Sequence, residues 1–394
     1  MQGTMRALKL DADWRPRPNY PLLPSEEEAR KAVRSSAIWQ SPRLALVESP
    51  VPAIEDDEVL IKVKACGVCG SDTHCYETDE EGYVLFSGSA RLPVTLGHEY
   101  AGEVIEIGRK VTTLRAGDAV VPESMLWCGV CASCRAGHPN QCRNIEMAGF
   151  SVPGAFADYI AVRERHCWKL DGLRDAFPDD GDLYEVAALM EPIGCAYNGM
   201  FVAGGGFLPG VHVAIYGAGP IGLGAVLLAR MAGAARIFVF DISEPRNALA
   251  LKLGADYAAS PLALREQGTS PSEIVRDLTG GQGADMQVEA TGAANATFPE
   301  IEKSLAPNGQ VIYLGRLDTA APFPLNTMVS QANRIVGARG QSGYGIYPSL
   351  IRLLASGRFP ARDMITARFP FDRVIEAIER STERTDGKIM VRVS

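Results

Sequence analysis

Residues 211–241, VHVAIYGAGPIGLGAVLLARMAGAARIFVFD, decide the fold. A β-branched run ends at Tyr216, and a glycine-rich turn follows. An apolar helix is then predicted to about Ala232, and a second strand ends at Asp241. Strand, helix and strand in that order form a β-α-β unit. Gly217, Ala218, Gly219, Pro220, Ile221 and Gly222 read G-x-G-x-x-G. That pattern is weak alone and strong between a strand and a helix, with an acid closing the next strand. The first glycine permits the tight turn, and the second lets backbone approach a pyrophosphate. The third packs helix on strand, and the helix N-terminus offers amide donors to phosphate. Asp241 follows Gly217 by 24 residues, where a carboxylate accepts from ribose hydroxyls and repels a 2′-phosphate. NAD is therefore expected over NADP. Arg246 nearby is the residue that argues the other way.

Working outward, the short apolar runs ADMQVEATG, GQVIYLG and NRIVGARG alternate with helix-like segments. They predict a doubly wound parallel sheet of about six strands over residues 195–340. Upstream the texture differs. Residues 44–64 and 94–122 and the run AFADYIAV alternate apolar and polar positions between glycine turns, as antiparallel strands do. From about residue 184 the pattern turns helical, and the tail reads as two helices and a closing strand. Residues 11–43, rich in Pro, Glu and Arg, read as an inserted surface segment.

Four cysteines, Cys128, Cys131, Cys134 and Cys142, fall in one stretch spaced C-x2-C-x2-C-x7-C. Short gaps let neighbouring thiolates wrap one ion, and the longer gap returns the chain to the fourth corner of a tetrahedron. A closed four-thiolate zinc site is expected in a lobe at 123–145. With no open position, such a site shapes the chain and does not catalyse. Iron–sulfur spacings differ from this one.

A second metal site is predicted around Cys69 in CGVCGSDTH and His98 in LGHEYAG. A catalytic zinc takes about three protein ligands and leaves one place open. Glu99 and Glu191 are both candidates for the third ligand. Cys66-x-x-Cys69 imitates a redox dithiol, but no thioredoxin-like start accompanies it. Asp72 is placed to orient His98 through its second ring nitrogen. Ser71 and His74 are candidates to carry a proton from a substrate hydroxyl to solvent. Cys75, Cys167 and Cys195 lack a partner pattern and read as packing residues.

The chain has 394 residues, enough for two or three domains. Its net charge of −8 disfavours a nucleic-acid partner. The longest apolar stretch, GAGPIGLGAVLLA, is too short and too glycine-rich to cross a membrane. The first residues carry no leader pattern, so a cytoplasmic location is expected.

The motifs GVCGSD, GHE, the four-cysteine lobe and GAGPIG, with the returning C-terminal segment, resemble the zinc-dependent medium-chain dehydrogenase/reductase family. The resemblance runs from about residue 44 to the end. It implies an α/β protein with a GroES-like β catalytic domain over 1–194 and 341–394, interrupted by a Rossmann domain over 195–340. It also implies two zinc ions per chain, one catalytic and one structural, and a homodimer or homotetramer. By that match Cys69, His98 and Glu191 or Glu99 are catalytic-zinc ligands. Cys128, Cys131, Cys134 and Cys142 are structural-zinc ligands.

Many alcohol dehydrogenases of this family place a cysteine third; MEPIGCAYNG presents Glu191 there, as in the polyol branch. WRPRP, TDEEGYVLFSG, MLWCGVC, GFSVPGAFADY, EPIGCAYN and SGYG are similar to the members that act on inositol-derived ring ketones. Residues 78–93, inserted between the two zinc-site motifs, are expected to shape the pocket. Glu123 and Trp127 are candidates to hold a hydroxylated ring.

The expected activity is NAD-linked hydride transfer at a ring hydroxyl or ketone of a cyclitol. The rivals are reduction of a cyclitol or aminocyclitol ketone in natural-product synthesis, and a general sorbitol- or threonine-like dehydrogenase. A zinc-stabilised binding protein is the rival from outside enzymology.

Overall fold

The computed structural model describes residues 3–316, 320, 321, 323 and 325–394. Six strands form a parallel sheet in the spatial order Tyr257–Ala259, Arg236–Phe240, His212–Tyr216, Ala284–Glu289, Leu305–Tyr313 and Arg334–Gly337. Helices cover both faces, so His212–Tyr216 and Arg236–Phe240 are buried nearly throughout, as their unbroken apolar composition requires. The strand order reverses beside His212–Tyr216. Doubly wound sheets bind ligands at such a switch point, and the glycine-rich turn lies there.

The second body is a largely antiparallel sheet. Its order is Cys167–Lys169, Ala119–Pro122, Glu99–Ile107, Glu58–Val68, Lys388–Arg392 and Ile365–Pro370, with Tyr159–Arg163 also paired to Glu58–Val68. The chain's last strand thus lies against its early strand, in the register Ile389 to Val68. This GroES-like unit and the Rossmann-type unit meet along the apolar run Asp180–Ala203. That run is long and apolar enough to cross a membrane, yet 72% of its apolar window is buried. Leu183, Val186, Leu189 and Ile193 join the core beneath the parallel sheet.

Residues 11–43 are not a surface insertion as a whole. Thr4–Trp14 and Trp39–Pro50 form a long antiparallel ladder, closed by a Trp14–Trp39 edge contact at 5.0 Å. The alternation in RALKLDADW, which buries Leu8 and Leu10, outweighs the Pro- and Glu-rich composition. Only 15–38 loops out, and even there Glu26 is buried. Its carboxylate accepts from Tyr20 Oη and from the amides of Leu23 and Val33.

The insertion 78–93 folds onto this excursion. Arg17 pairs with Asp79 and Glu81, and Trp39 Nε1 donates to the carbonyl of Ala90 at 3.2 Å. Phe86 stacks on Phe150 at 4.6 Å, and the His98 ring lies 4.9 Å from Phe150 on the same side chain. The insertion therefore reaches His98 through two aromatic rings.

Candidate active site

Cys69 follows the strand Glu58–Val68 and caps the helix Gly70–Tyr76; its amide donates to Asp72 Oδ2 at 3.0 Å. That turn fixes Asp72 beneath His98, with Oδ1 3.4 Å from Nδ1. The other ring nitrogen, Nε2, lies 3.4 Å from Ser71 Oγ. One donor atom each from Cys69, His98 and Glu99 lies within 4.8 Å of the others.

Glu99 is fully buried. Its Oε2 pairs with Lys388 Nζ, while Oε1 has no hydrogen-bond partner. An orphaned carboxylate oxygen beside a thiol and an imidazole is what a metal ion would satisfy. The electrostatics agree. Burial opposes charge on His98, but Asp72 and Cys69 outweigh it and raise its pKa well above the usual value. The surroundings therefore favour a cation.

Glu191 lies on the helix Met190–Tyr197, close enough to feel His98 and Glu99, but outside the three-donor cluster. Ser124 Oγ donates to its Oε1 at 3.1 Å. Burial lifts Glu191 to about 7, offset by His98 and reinforced by Glu99. His74 is mostly buried. Burial and then Arg384 lower its pKa, so at neutral pH its imidazole is an uncharged proton acceptor.

Glu123 is buried and Trp127 partly so. Glu123 is 2% exposed, and its two oxygens accept from Trp127 Nε1 at 2.8 Å and Trp168 Nε1 at 3.0 Å. This carboxylate ties two indoles together. Lys388, Ser124 and Gln341 carry no local motif and escape sequence reasoning. A lysine pointing inward from the closing strand is the one available signal.

In the four-cysteine lobe the sulfur atoms of Cys131 and Cys134 are 3.6 Å apart, those of Cys131 and Cys142 3.8 Å, and those of Cys142 and Cys128 3.5 Å. A tetrahedron with metal–sulfur bonds of about 2.3 Å has edges of about 3.8 Å, so the set fits zinc. Backbone amides of Cys134 and Arg143 lower the Cys131 thiol to about 6, whereas burial pushes the Cys134 thiol up.

At the switch point Gly217 has φ +96°, which excludes most side chains. A Cβ on Gly222 would lie 1.8 Å from the carbonyl oxygen of Gly217, so helix and turn can meet only through glycine. A Cβ on Gly219 would meet nothing nearer than Arg246 Nη1 at 3.9 Å, which leaves room above the turn for a phosphate. Pro220 and Ile221 open the helix Pro220–Met231. Asp241 Oδ2 accepts from the amide of Ala218 at 2.6 Å and Oδ1 from that of Ser243 at 2.8 Å. Each oxygen keeps a lone pair for a ribose hydroxyl. Arg246 Nε donates to the carbonyl of Asp386 at 2.8 Å, across to the C-terminal segment.

Residues 55–172 match the alcohol dehydrogenase GroES-like domain, and residues 220–356 match the zinc-binding dehydrogenase family. The chain belongs to the zinc-dependent medium-chain dehydrogenases and is an oxidoreductase of the zinc alcohol and polyol dehydrogenase class. It is 41% identical to scyllo-inosose 3-dehydrogenase of Thermotoga maritima, with 99% of each chain covered. It is 35% identical to L-threonine 3-dehydrogenase of Symbiobacterium thermophilum, over 92% of this chain and 98% of that one. A solved Thermotoga maritima structure, assigned as an alcohol dehydrogenase, superposes with a TM-score of 0.92 at 38% identity, covering 99% of this chain and 100% of that one. A Sinorhizobium meliloti structure assigned as a zinc-binding dehydrogenase and bound to NADP reaches 0.77 at 26% identity, over 92% and 99%.

Proposed function

We propose that the protein is an NAD-linked, zinc-dependent cyclitol dehydrogenase, moving a hydride between the dinucleotide and a ring hydroxyl or ketone of the inositol and inosose type. The full-length likeness to scyllo-inosose 3-dehydrogenase carries this reading. It spans 99% of this chain, whereas the first threonine dehydrogenase relative spans 88%. Cys69, His98 and Glu99 would hold the catalytic zinc, with the orphaned Glu99 Oε1 as the reason to prefer Glu99 over Glu191. Cys128, Cys131, Cys134 and Cys142 would hold a structural zinc, giving two per chain. Gly217, Gly219 and Gly222 would seat the pyrophosphate and Asp241 the adenosine ribose. Residues 1–194 and 341–394 would form the catalytic unit and 195–340 the coenzyme unit. Family resemblance further supports a homodimer or homotetramer.

When bound, zinc would supply Lewis acidity at the reacting oxygen and the dinucleotide the hydride-accepting carbon. The chain's own residues do the rest. Asp72 Oδ1, 3.4 Å from Nδ1, would steady the His98 ring by its charge, while Nε2 faces Ser71. Ser71 Oγ would take the proton of the substrate hydroxyl while releasing its own toward solvent, with His74, kept neutral, as the proposed next acceptor. The Phe86–Phe150 pair excludes water on one side of His98.

The test is NADH formation at 340 nm against inositols, open-chain polyols and L-threonine, with inososes in the reverse direction. Cyclitols and inososes should lead by at least tenfold in kcat/KM, because a site built to bond several hydroxyls rejects analogues that lack them. A lead for threonine or an open-chain polyol overturns the substrate class.

A further inference from the structure

Building on the metal-site reading above, we propose that Gln341 and Ser124 are positioning residues for Glu191, and that the segment leaving the coenzyme sheet thereby sets where the active site's second carboxylate lies. With Glu191 ionised, the chain of bonds has one direction: the carboxylate only accepts, so Ser124 Oγ gives its proton to Glu191 Oε1 at 3.1 Å. The hydroxyl must then accept from its other neighbour, and Gln341 Nε2 donates to it at 2.7 Å. Ser124 and Gln341 are 1% and 0% exposed, so water does not substitute for either bond.

Gln341 follows the last parallel strand, Arg334–Gly337, and precedes the helix Ile346–Ala355. The segment between is fastened on two sides. The carbonyl of Arg339 accepts from Asn140 Nδ2 in the four-cysteine lobe and from Asn198 Nδ2 beyond the helix that carries Glu191. Ser342 Oγ donates to the carbonyl of Met125, and Tyr344 Oη donates to Asn140 Oδ1. Gly340 and Gly343 have positive φ. A Cβ on either would collide with Met125 Sδ or Pro139 Cγ, so the segment lies flush on the lobe. An uncharged side chain wholly buried at this junction, 217 residues from its partner, has a clear task if it fixes the Ser124 rotor.

Wild type, Ser124→Ala, Gln341→Met and the double variant are compared as zinc-loaded enzymes on the alcohol the wild type oxidises best. Each single variant should lose about tenfold in kcat with KM for the dinucleotide unchanged, the effect of one hydrogen bond to a charged group. Gln341 acts only through Ser124, so the double variant should match Ser124→Ala within about twofold. Ser124→Thr, which keeps the hydroxyl, should recover most of the loss. With cobalt(II) in place of zinc, the visible d–d bands, which also respond to a charge moved beside the ligands His98 and Glu99, should shift in Ser124→Ala and Gln341→Met and return in Ser124→Thr, a reading that needs no turnover. Unchanged kcat in both single variants, additive losses, or unmoved cobalt bands overturn the proposal. A wild type that ignores cyclitols but oxidises another alcohol sinks the substrate reading and leaves this comparison intact.

Discussion

Lys388 on the last strand and Glu99, the residue after His98, form a buried ion pair, with Lys388 1% and Glu99 0% exposed. Lys388 Nζ also donates to the carbonyl of Val68 at 2.9 Å, one residue before Cys69. One ammonium thus fastens both strands that carry the three-donor cluster. Removing one partner of a buried pair strands the other charge and costs roughly 3–5 kcal/mol. Lys388→Met should lower the denaturation midpoint accordingly and weaken zinc retention against a chelator. Lys388→Met with Glu99→Gln should recover stability but not metal. If Lys388→Met keeps both full stability and full metal content, the pair is incidental.

Asp241 accepts an amide from the glycine turn while standing where the adenosine ribose is expected. Asp241→Ser should lower kcat/KM for NAD by about ten- to a hundredfold, the range for hydrogen bonds to a charged group. It should also raise kcat/KM for NADP, since the repelling charge is gone and Arg246 sits beside the turn. Initial rates with both cofactors measure this. An unchanged NAD:NADP ratio would remove Asp241 from the ribose site.

What was legible in the sequence was local. The turn at Gly217 shows itself because its strand, glycines and helix are contiguous, and the cysteine lobe because its spacing encodes one tetrahedron. Cys69 and His98 could be paired because each sits in a dense polar motif. Lys388 could not be assigned to Glu99, 289 residues away, nor Gln341 to Ser124. Only the returning C-terminal strand and the exit from the parallel sheet bring those partners together. The ladder at Thr4–Trp14 was obscured because Pro, Glu and Arg in the excursion masked the alternation on either side. Glu123's bond to Trp168 could not be foreseen, because nothing nearby in sequence announces that indole as its second donor.

The lobe should behave as a metal-dependent brace. Cys134→Ser should lower zinc from two ions per chain to one, read by elemental analysis. Loss of structural zinc removes folding free energy, and a midpoint drop on the order of 10 °C is expected. Because Asn140 reaches the carbonyl of Arg339 from this lobe, limited proteolysis should cut between 123 and 145 sooner than in wild type. Retention of two zincs would place the second ion elsewhere.

His166 is one group whose protonation opposes the fold at acid pH. It is 2% exposed and edge-on to Trp127 at 5.1 Å. Burial, with Arg165 and Arg163 nearby, lowers its pKa to about 3. The folded value lies below the unfolded one of about 6.5, so as pH falls the unfolded chain takes up the proton first. The contribution of His166 to stability is therefore lost below pH 6.5, by about 2 kcal/mol on reaching pH 5. Nδ1 has no partner to lose, so an apolar side chain of similar size should be tolerated. His166→Leu should flatten the urea midpoint between pH 6.5 and 5 while leaving it nearly unchanged at pH 7.5. A variant that keeps the wild-type slope would show that the imidazole is protonated in the folded protein, and that the acid limit comes from other groups.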